Sequence, residues 1–182
     1  MLATMAIVPA SAAPVTGDGT NAVDSFTITK HLTKEEKTMT PKVSFTFTVD
    51  EATVTNENRN GIPVTSGVKD GVTVNEENDS ADFPPGDELD KSADLTDTVT
   101  FDVNLNKFQF AGMYKYTITE DEGTYDGITE DSNVLDLYVY IQTDANGNLK
   151  VAYTELVDPD GGVGSTEEKP VEAKTDSFTK DY

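Results

Sequence analysis

The nine residues from Gly112 to Glu120, Gly-Met-Tyr-Lys-Tyr-Thr-Ile-Thr-Glu, constrain the fold more than any other stretch of this 182-residue chain. Side chains alternate across a β-strand, so Tyr114, Tyr116, Ile118 and Glu120 share one face and Lys115, Thr117 and Thr119 share the other. A carboxylate therefore ends an apolar row. Two readings are open. Either the strand has reached the rim and Glu120 is solvated, or Glu120 lies in the core and must be paired or neutralised, because a lone buried carboxylate is expensive. A second interruption falls in residues 25–32, where Phe26, Ile28, Lys30 and Leu32 share a face. A lysine in the middle of an apolar row either snorkels outward on its long stem or is buried with its neighbours. His31, the only histidine, falls on the other face and reads as an exposed structural residue.

Alternation recurs along the chain. Residues 42–49 put Val43, Phe45, Phe47 and Val49 inward and Ser44, Thr46 and Thr48 outward. Residues 98–105, 134–141 and 149–153 read as further strands, and Asn146-Gly147 between the last two marks a β-hairpin. Residues 56–97 are mostly turn chemistry, with Asn60-Gly61, Asp70-Gly71, Pro84-Pro85-Gly86 and a solvated acidic run that includes Glu76, Glu77 and Asp79. One short strand over residues 71–74 is expected to interrupt them, because a long structureless loop is unusual in a compact domain. A Gly-rich loop at 160–164 and a Lys/Glu/Pro-containing linker lead to a closing strand over 177–182. No segment carries a sustained helical period. The pattern predicts an all-β, Greek-key, immunoglobulin-like β-sandwich, a single domain over residues 24–182.

Composition excludes whole classes of function. A formal charge of -21 repels phosphate backbones and anionic lipid, which argues against nucleic acid or a membrane surface as partner. The absence of cysteine removes disulfides, thiolate metal sites and thiol nucleophiles together. A single histidine leaves histidine triads and zinc sites almost nothing to work with. Residues 1–23 read as the remnant of a secretory signal and a flexible leader, with an apolar segment followed by Ala10-Ser11-Ala12. The closing strand stops at Tyr182, so the chain is expected to be a piece of a longer one.

The residues also carry a family resemblance. Phe-Thr-Ile-Thr-Lys at 26–30, Val-Ser-Phe-Thr-Phe-Thr-Val at 43–49, Gly-x-Tyr-x-Tyr-x-Ile-x-Glu at 112–120, the Asn-Gly hairpin and the closing Phe-Thr-x-x-Tyr together resemble the isopeptide-linkage domain of streptococcal major pilins. In that family a first-strand lysine attacks the side-chain amide of a last-strand asparagine while a glutamate assists proton transfer. The resemblance implies that Lys30 stands at the nucleophile position and Glu120 at that of the acid. It implies a mechanism too: burial disfavours both charges, so a neutral amine and a protonated acid coexist, and enforced proximity does the rest. The third position departs from the pattern. The family closes with Phe-x-Asn-x-Tyr, and here Lys180 stands in place of the asparagine. Lysine has no acyl carbon, so the expected bond cannot form there. Asp181 has one, but alternation points it to the opposite face unless the strand bulges.

The resemblance implies a structural subunit or stalk domain of a Gram-positive pilus or adhesin, secreted and placed at the cell surface or wall, with neighbouring pilin or wall subunits as partners. Lys169 and Lys174 are the candidate acceptors if a sortase polymerises it. The alternative is a ligand-binding sandwich that recognises glycan or a host protein through residues 56–97, where Phe83 is the only aromatic. Carboxylates are too abundant for an imagined catalytic pair to carry weight, and Asp144-Ala145-Asn146-Gly147-Asn148 lacks the later bidentate glutamate of an EF-hand loop. The reading assigns no enzymatic turnover, no cofactor and no metal.

Overall fold

The structure, a computed structural model, describes residues 23–34, 39, 42–86, 93–121, 129–130, 134–159, 173–175 and 177–181. The segments 1–22 and 160–172, with the signal-like leader and Lys169, lie outside the described residues. In chain order the strands are β1 (Val23–Lys34), β2 (Val43–Glu51), β3 (Asn58–Arg59), β4 (Ile62–Ser66), β5 (Val72–Val74), β6 (Ser80–Phe83) and β7 (Ala93–Asn104). They continue as β8 (Gly112–Glu120), β9 (Thr129–Glu130), β10 (Val134–Thr143), β11 (Leu149–Asp158), β12 (Ala173–Thr175) and β13 (Ser177–Asp181). One 3-10 turn, Leu105–Lys107, separates β7 from β8.

These strands form two sheets. The first has the order β5-β7-β1-β13-β9; the second runs β12-β11-β10-β8-β2-β6, with β4 pairing β8 and β3 pairing β4 at its side. The expected all-β sandwich is therefore present, and alternation explains it. The inward rows Phe26/Ile28/Leu32, Val43/Phe45/Phe47, Val99/Phe101/Val103, Tyr116/Ile118 and Leu135/Leu137/Val139/Ile141 are all buried in one cluster. Phe101 lies at its centre, stacked on Phe26 at 5.4 Å and edge-on to Phe47 at 6.3 Å. Each such ring contributes on the order of 1.5–3 kcal/mol by leaving water.

The first and last strands are neighbours. Strand β1 pairs with β13 in parallel, from Thr29 opposite Ser177 to Thr33 opposite Asp181, and antiparallel with β7 on its other side. The hairpin predicted at Asn146-Gly147 joins β10 to β11: Gly147 takes a φ of 88°, and the Asp144 carboxylate accepts the amides of Asn146 and Asn148 at 2.8 Å.

Residues 56–97 correct the expectation of a single short strand, since β3, β4, β5, β6 and the start of β7 all fall there. Their physical role is to close edges. Strand β5 covers β7 from Phe101 to Val103, Asn75 and Asn78 hydrogen-bond the backbone of Thr100, and the Asp97 carboxylate accepts the amide of Asp82 at 2.7 Å. Exposed ladder groups invite pairing with other chains, and these contacts occupy them. His31 is half-buried rather than exposed.

A buried lysine–glutamate pair as the candidate functional site

Strand β1 brings Lys30 into the first sheet between Asp97 of β7 and Phe178 of β13. Strand β8 ends at Glu120 in the second sheet, opposite Phe47 of β2. Packing the two sheets face to face brings these side chains together: Lys30 Nζ lies 3.0 Å from Glu120 Oε2. Lys30 is 0% and Glu120 2% exposed. Of the two readings open for each residue, the buried one holds. Glu120 is not at a solvated rim and Lys30 does not snorkel, because apolar side chains wall the pair in from both sheets. The Phe45 ring centroid lies 4.5 Å from Nζ, close enough for a cation–π contact with an ammonium.

The register of β13 places the other candidate positions. Lys180 is paired with Leu32 and Asp181 with Thr33. Partners directly across a ladder share a sheet face, so position 180 lies on the face of Leu32 and Lys30, and position 181 on the other. Lys174, in β12, is paired with Val157 of β11 and lies on the second sheet. Phe83, the one aromatic of the 56–97 excursion, is buried edge-on against Phe45 at 5.9 Å and forms no exposed platform. Among the described residues no group of three or more His, Asp or Glu is placed to hold a metal ion.

A second polar cluster, on the outer face of the second sheet, escaped sequence reasoning. Lys115 Nζ lies 2.8 Å from Asp136 Oδ2 and 3.4 Å from Glu57 Oε2. The Tyr138 hydroxyl donates to Glu57 Oε1 at 2.6 Å. Arg59 stacks over the Tyr138 ring at 4.1 Å and donates to Glu155 at 2.8 Å. The β3–β4 hairpin folds over this face and shares a small core of Val64, Met113, Tyr138 and Val157. Burial pulls the Lys115 ammonium down, but hydrogen bonds and Coulombic attraction from Asp136 and Tyr138 outweigh it and raise its pKa above that of an ordinary lysine. Burial, with the Glu57 hydrogen bond, pushes the Tyr138 phenol up to about 12 against the opposing effect of Lys115. Lys115 therefore stays charged and serves as a cationic clamp, not a nucleophile. The signal that could have revealed the cover is β10 itself, with Leu135, Leu137, Val139 and Ile141 on one row and Tyr138 and Tyr140 on the other. Apolar residues on both rows mark a strand covered on both faces.

A two-sheet β-domain whose layers are joined by a sealed lysine–glutamate contact is the class that fold and site define. The sequence profile of the FctA family, described as the Spy0128-like isopeptide containing domain, matches residues 26–182. The chain belongs to this family. Among solved structures it is similar to the major pilin protein (T3.2) from Streptococcus pyogenes, at 19% identity and a TM-score of 0.51 over 88% of this chain and 54% of that one. It is also similar to a point mutant of the major pilin from Streptococcus pyogenes, at 16% identity and a TM-score of 0.52 over 85% of this chain and 50% of that one. At these identities the likeness bears on the fold alone, and the chain spans about half the length of either pilin. No curated protein matches it.

Proposed function

We propose that the chain is a structural subunit or stalk domain of a Gram-positive cell-surface pilus or adhesin, secreted and held at the cell wall, with no catalytic turnover. The observation that carries this reading is the sealed Lys30–Glu120 pair joining the two sheets, in a chain that belongs to the isopeptide containing family. In this reading the pair occupies the family's cross-linking site and remains unlinked. Lys30 holds the nucleophile position and Glu120 the proton-transfer position, while Lys180 offers no acyl carbon at the acceptor position. Asp181 has one, but its register with Thr33 sets it on the alternate row. The bond of the family joins first strand to last; here the Lys30–Glu120 pair instead ties the first strand to the facing sheet.

The partners of such a subunit are its neighbours in the pilus or wall, and Lys169 and Lys174 are the lysines proposed to accept a sortase-transferred chain. Fractionation of the native host tests the assignment. Denaturant-resistant ladders in the wall fraction, lost when both Lys169→Arg and Lys174→Arg are introduced, are expected. Protein confined to the cytosol would overturn the assignment, and cross-linked peptides mapping to another lysine would remove these two.

A further inference from the structure

We propose that Asn60 is a self-modification site: the Gly61 amide displaces its side-chain nitrogen as ammonia, and the isoaspartyl product lifts the β3–β4 hairpin off the outer face of the second sheet. The inference stands on the chemistry of this turn and is independent of the subunit reading above. Asn60 and Gly61 make up the whole turn, because Arg59 is paired directly with Ile62. Both take left-handed backbone, with φ of 53° and 81°, as a two-residue type I′ hairpin requires. Both are exposed.

Among the described residues a glycine follows Asn or Asp at Asn60-Gly61, Asp70-Gly71 and Asn146-Gly147. The glycine nitrogen is the nucleophile in ring closure, so the bond it already makes sets the order of reactivity. Gly71 donates to the Val68 carbonyl at 2.8 Å and Gly147 to the Asp144 carbonyl at 3.1 Å. The Gly61 amide has no hydrogen-bond partner among the described residues, and a Cβ built on Gly61 would meet nothing within 4 Å. Attack requires Asn60 to leave the left-handed region, which a residue with a Cβ occupies only at a cost. The Gly61 nitrogen then bonds to Asn60 Cγ, the Cγ–Nδ2 bond breaks, and Nδ2 departs as ammonia with the proton that Gly61 gives up; proximity within one dipeptide drives the closure. Water opens the cyclic imide. Addition at Cγ leaves an aspartyl residue, and addition at the backbone carbonyl leaves an isoaspartyl residue whose main chain runs through Cβ and Cγ. Either way one ammonia is exchanged for one water, without oxidant or cofactor.

The position of the turn makes the two products different in effect. Arg59, next to Asn60, lies over the Tyr138 ring at 4.1 Å and donates to Glu155 at 2.8 Å, while Ile62, next to Gly61, packs on the small core of Val64, Met113, Tyr138 and Val157. Both contacts need Arg59 and Ile62 to stay opposite each other. An aspartyl residue keeps the main chain and tolerates left-handed backbone, so the cover stays. An isoaspartyl residue adds a carbon to a turn that has no spare length, and the register fixed by that turn is lost. Arg59 then leaves Tyr138, Glu57 follows through the Val64–Glu57 backbone bond, and Lys115 and Asp136 open to water. The inter-sheet core and the Lys30–Glu120 pair belong to other strands and stay closed.

Incubating the purified full chain in mildly alkaline buffer, folded and in urea, tests this by peptide mapping with fragmentation that separates aspartyl from isoaspartyl residues. Dividing each folded rate by its urea rate removes the intrinsic difference between the two Asn-Gly sequences. On that scale Asn60 should react at least about threefold faster than Asn146, the factor set by one backbone hydrogen bond. In the isoaspartyl fraction, amide hydrogen exchange over residues 57–66 should quicken at least about tenfold, with no change in β1 or β7. A freshly purified Asn60→Asp variant, which has the new charge but the normal main chain, should keep wild-type protection. An Asn60 that reacts in urea but not in the folded chain, or no faster than Asn146, would overturn the proposal. So would an isoaspartyl fraction as protected as fresh protein, or an Asn60→Asp variant that loses protection to the same extent.

Discussion

Lys30 and Glu120, 90 residues apart in sequence, meet across the two sheets at 3.0 Å with only 1% and 2% of their side chains open to solvent. Such a pair is weak evidence for stability in itself, because desolvating two charges offsets most of their attraction, but removing one partner strands the other. Lys30→Met or Glu120→Leu alone should therefore destabilise the domain by about 3–5 kcal/mol. The double variant should recover most of that loss, since apolar residues then fill the space without an uncompensated charge. Urea denaturation of the three variants checks this, and single variants as stable as the wild type would refute it.

The acceptor position gives a chemical test. Lys180→Asn places an amide at the register position of Leu32, on the sheet face of Lys30. Bond formation is expected to be slow or partial, because Glu120 would still hold Lys30 as an ion pair that burial must neutralise before the amine can attack. The readout is loss of one ammonia, abolished by adding Lys30→Ala or Glu120→Ala. A folded variant that keeps its full mass indefinitely would mean that the fold is retained without the chemistry.

The inter-sheet pair was legible in the sequence for a simple reason. Lys30 and Glu120 each interrupt an otherwise apolar period-2 row, so alternation alone marks them as anomalies. What alternation could not decide was whether each row continued into the core at that point, because that depends on the sheet packed opposite. The strands of 62–66 and 80–83 were missed because they are short and rich in turn residues, and are stabilised by the edges they cover. The Lys115–Asp136 clamp was missed for a related reason. Lys115 shares its row with Thr117 and Thr119 and reads as solvent-facing, only the tyrosines on the row of Asp136 hint at a cover, and the burial comes from the β3–β4 hairpin folding over both residues.

That clamp predicts a stability effect at Tyr138. Its hydroxyl donates to Glu57 and its ring lies under Arg59. Tyr138→Phe keeps the ring and leaves Glu57 short of a donor, so a loss of about 1–3 kcal/mol is expected. The change should be reduced when Glu57→Leu is already present. Equal losses in both backgrounds would show that the hydroxyl acts independently of Glu57.

Close packing at Tyr116 predicts a glycine requirement. Its hydroxyl accepts the Val68 amide at 2.9 Å and donates to the Val68 carbonyl at 3.2 Å. A Cβ at Gly67 would run into the Tyr116 ring. Gly67→Ala should therefore cost about 1–3 kcal/mol by overpacking, whereas Gly61→Ala, with nothing within 4 Å and a φ of 81°, would act only through backbone strain. Thermal melts that leave Gly67→Ala unchanged would contradict the packing.

Alkaline pH should weaken the fold. Burial raises the Tyr116 and Tyr138 phenols above their ordinary 10.0, Tyr138 to about 12. Between those limits the unfolded chain loses phenolic protons that the folded chain keeps, so stability falls as pH rises. Lys115, raised above its ordinary 10.5, acts in the same sense: its contribution is complete below that value and is lost as pH climbs through the folded one. Urea midpoints should be insensitive to these groups at neutral pH and decline above about 10. A midpoint that stays level or rises there would contradict the assignment.

The intact mass of the purified wild-type chain tests the central claim most directly. An unlinked Lys30–Glu120 pair predicts the full mass of the sequence and a free Lys30 peptide after digestion. Loss of one ammonia or one water, with Lys30 recovered in a branched peptide, would contradict it and show that another side chain serves as acceptor.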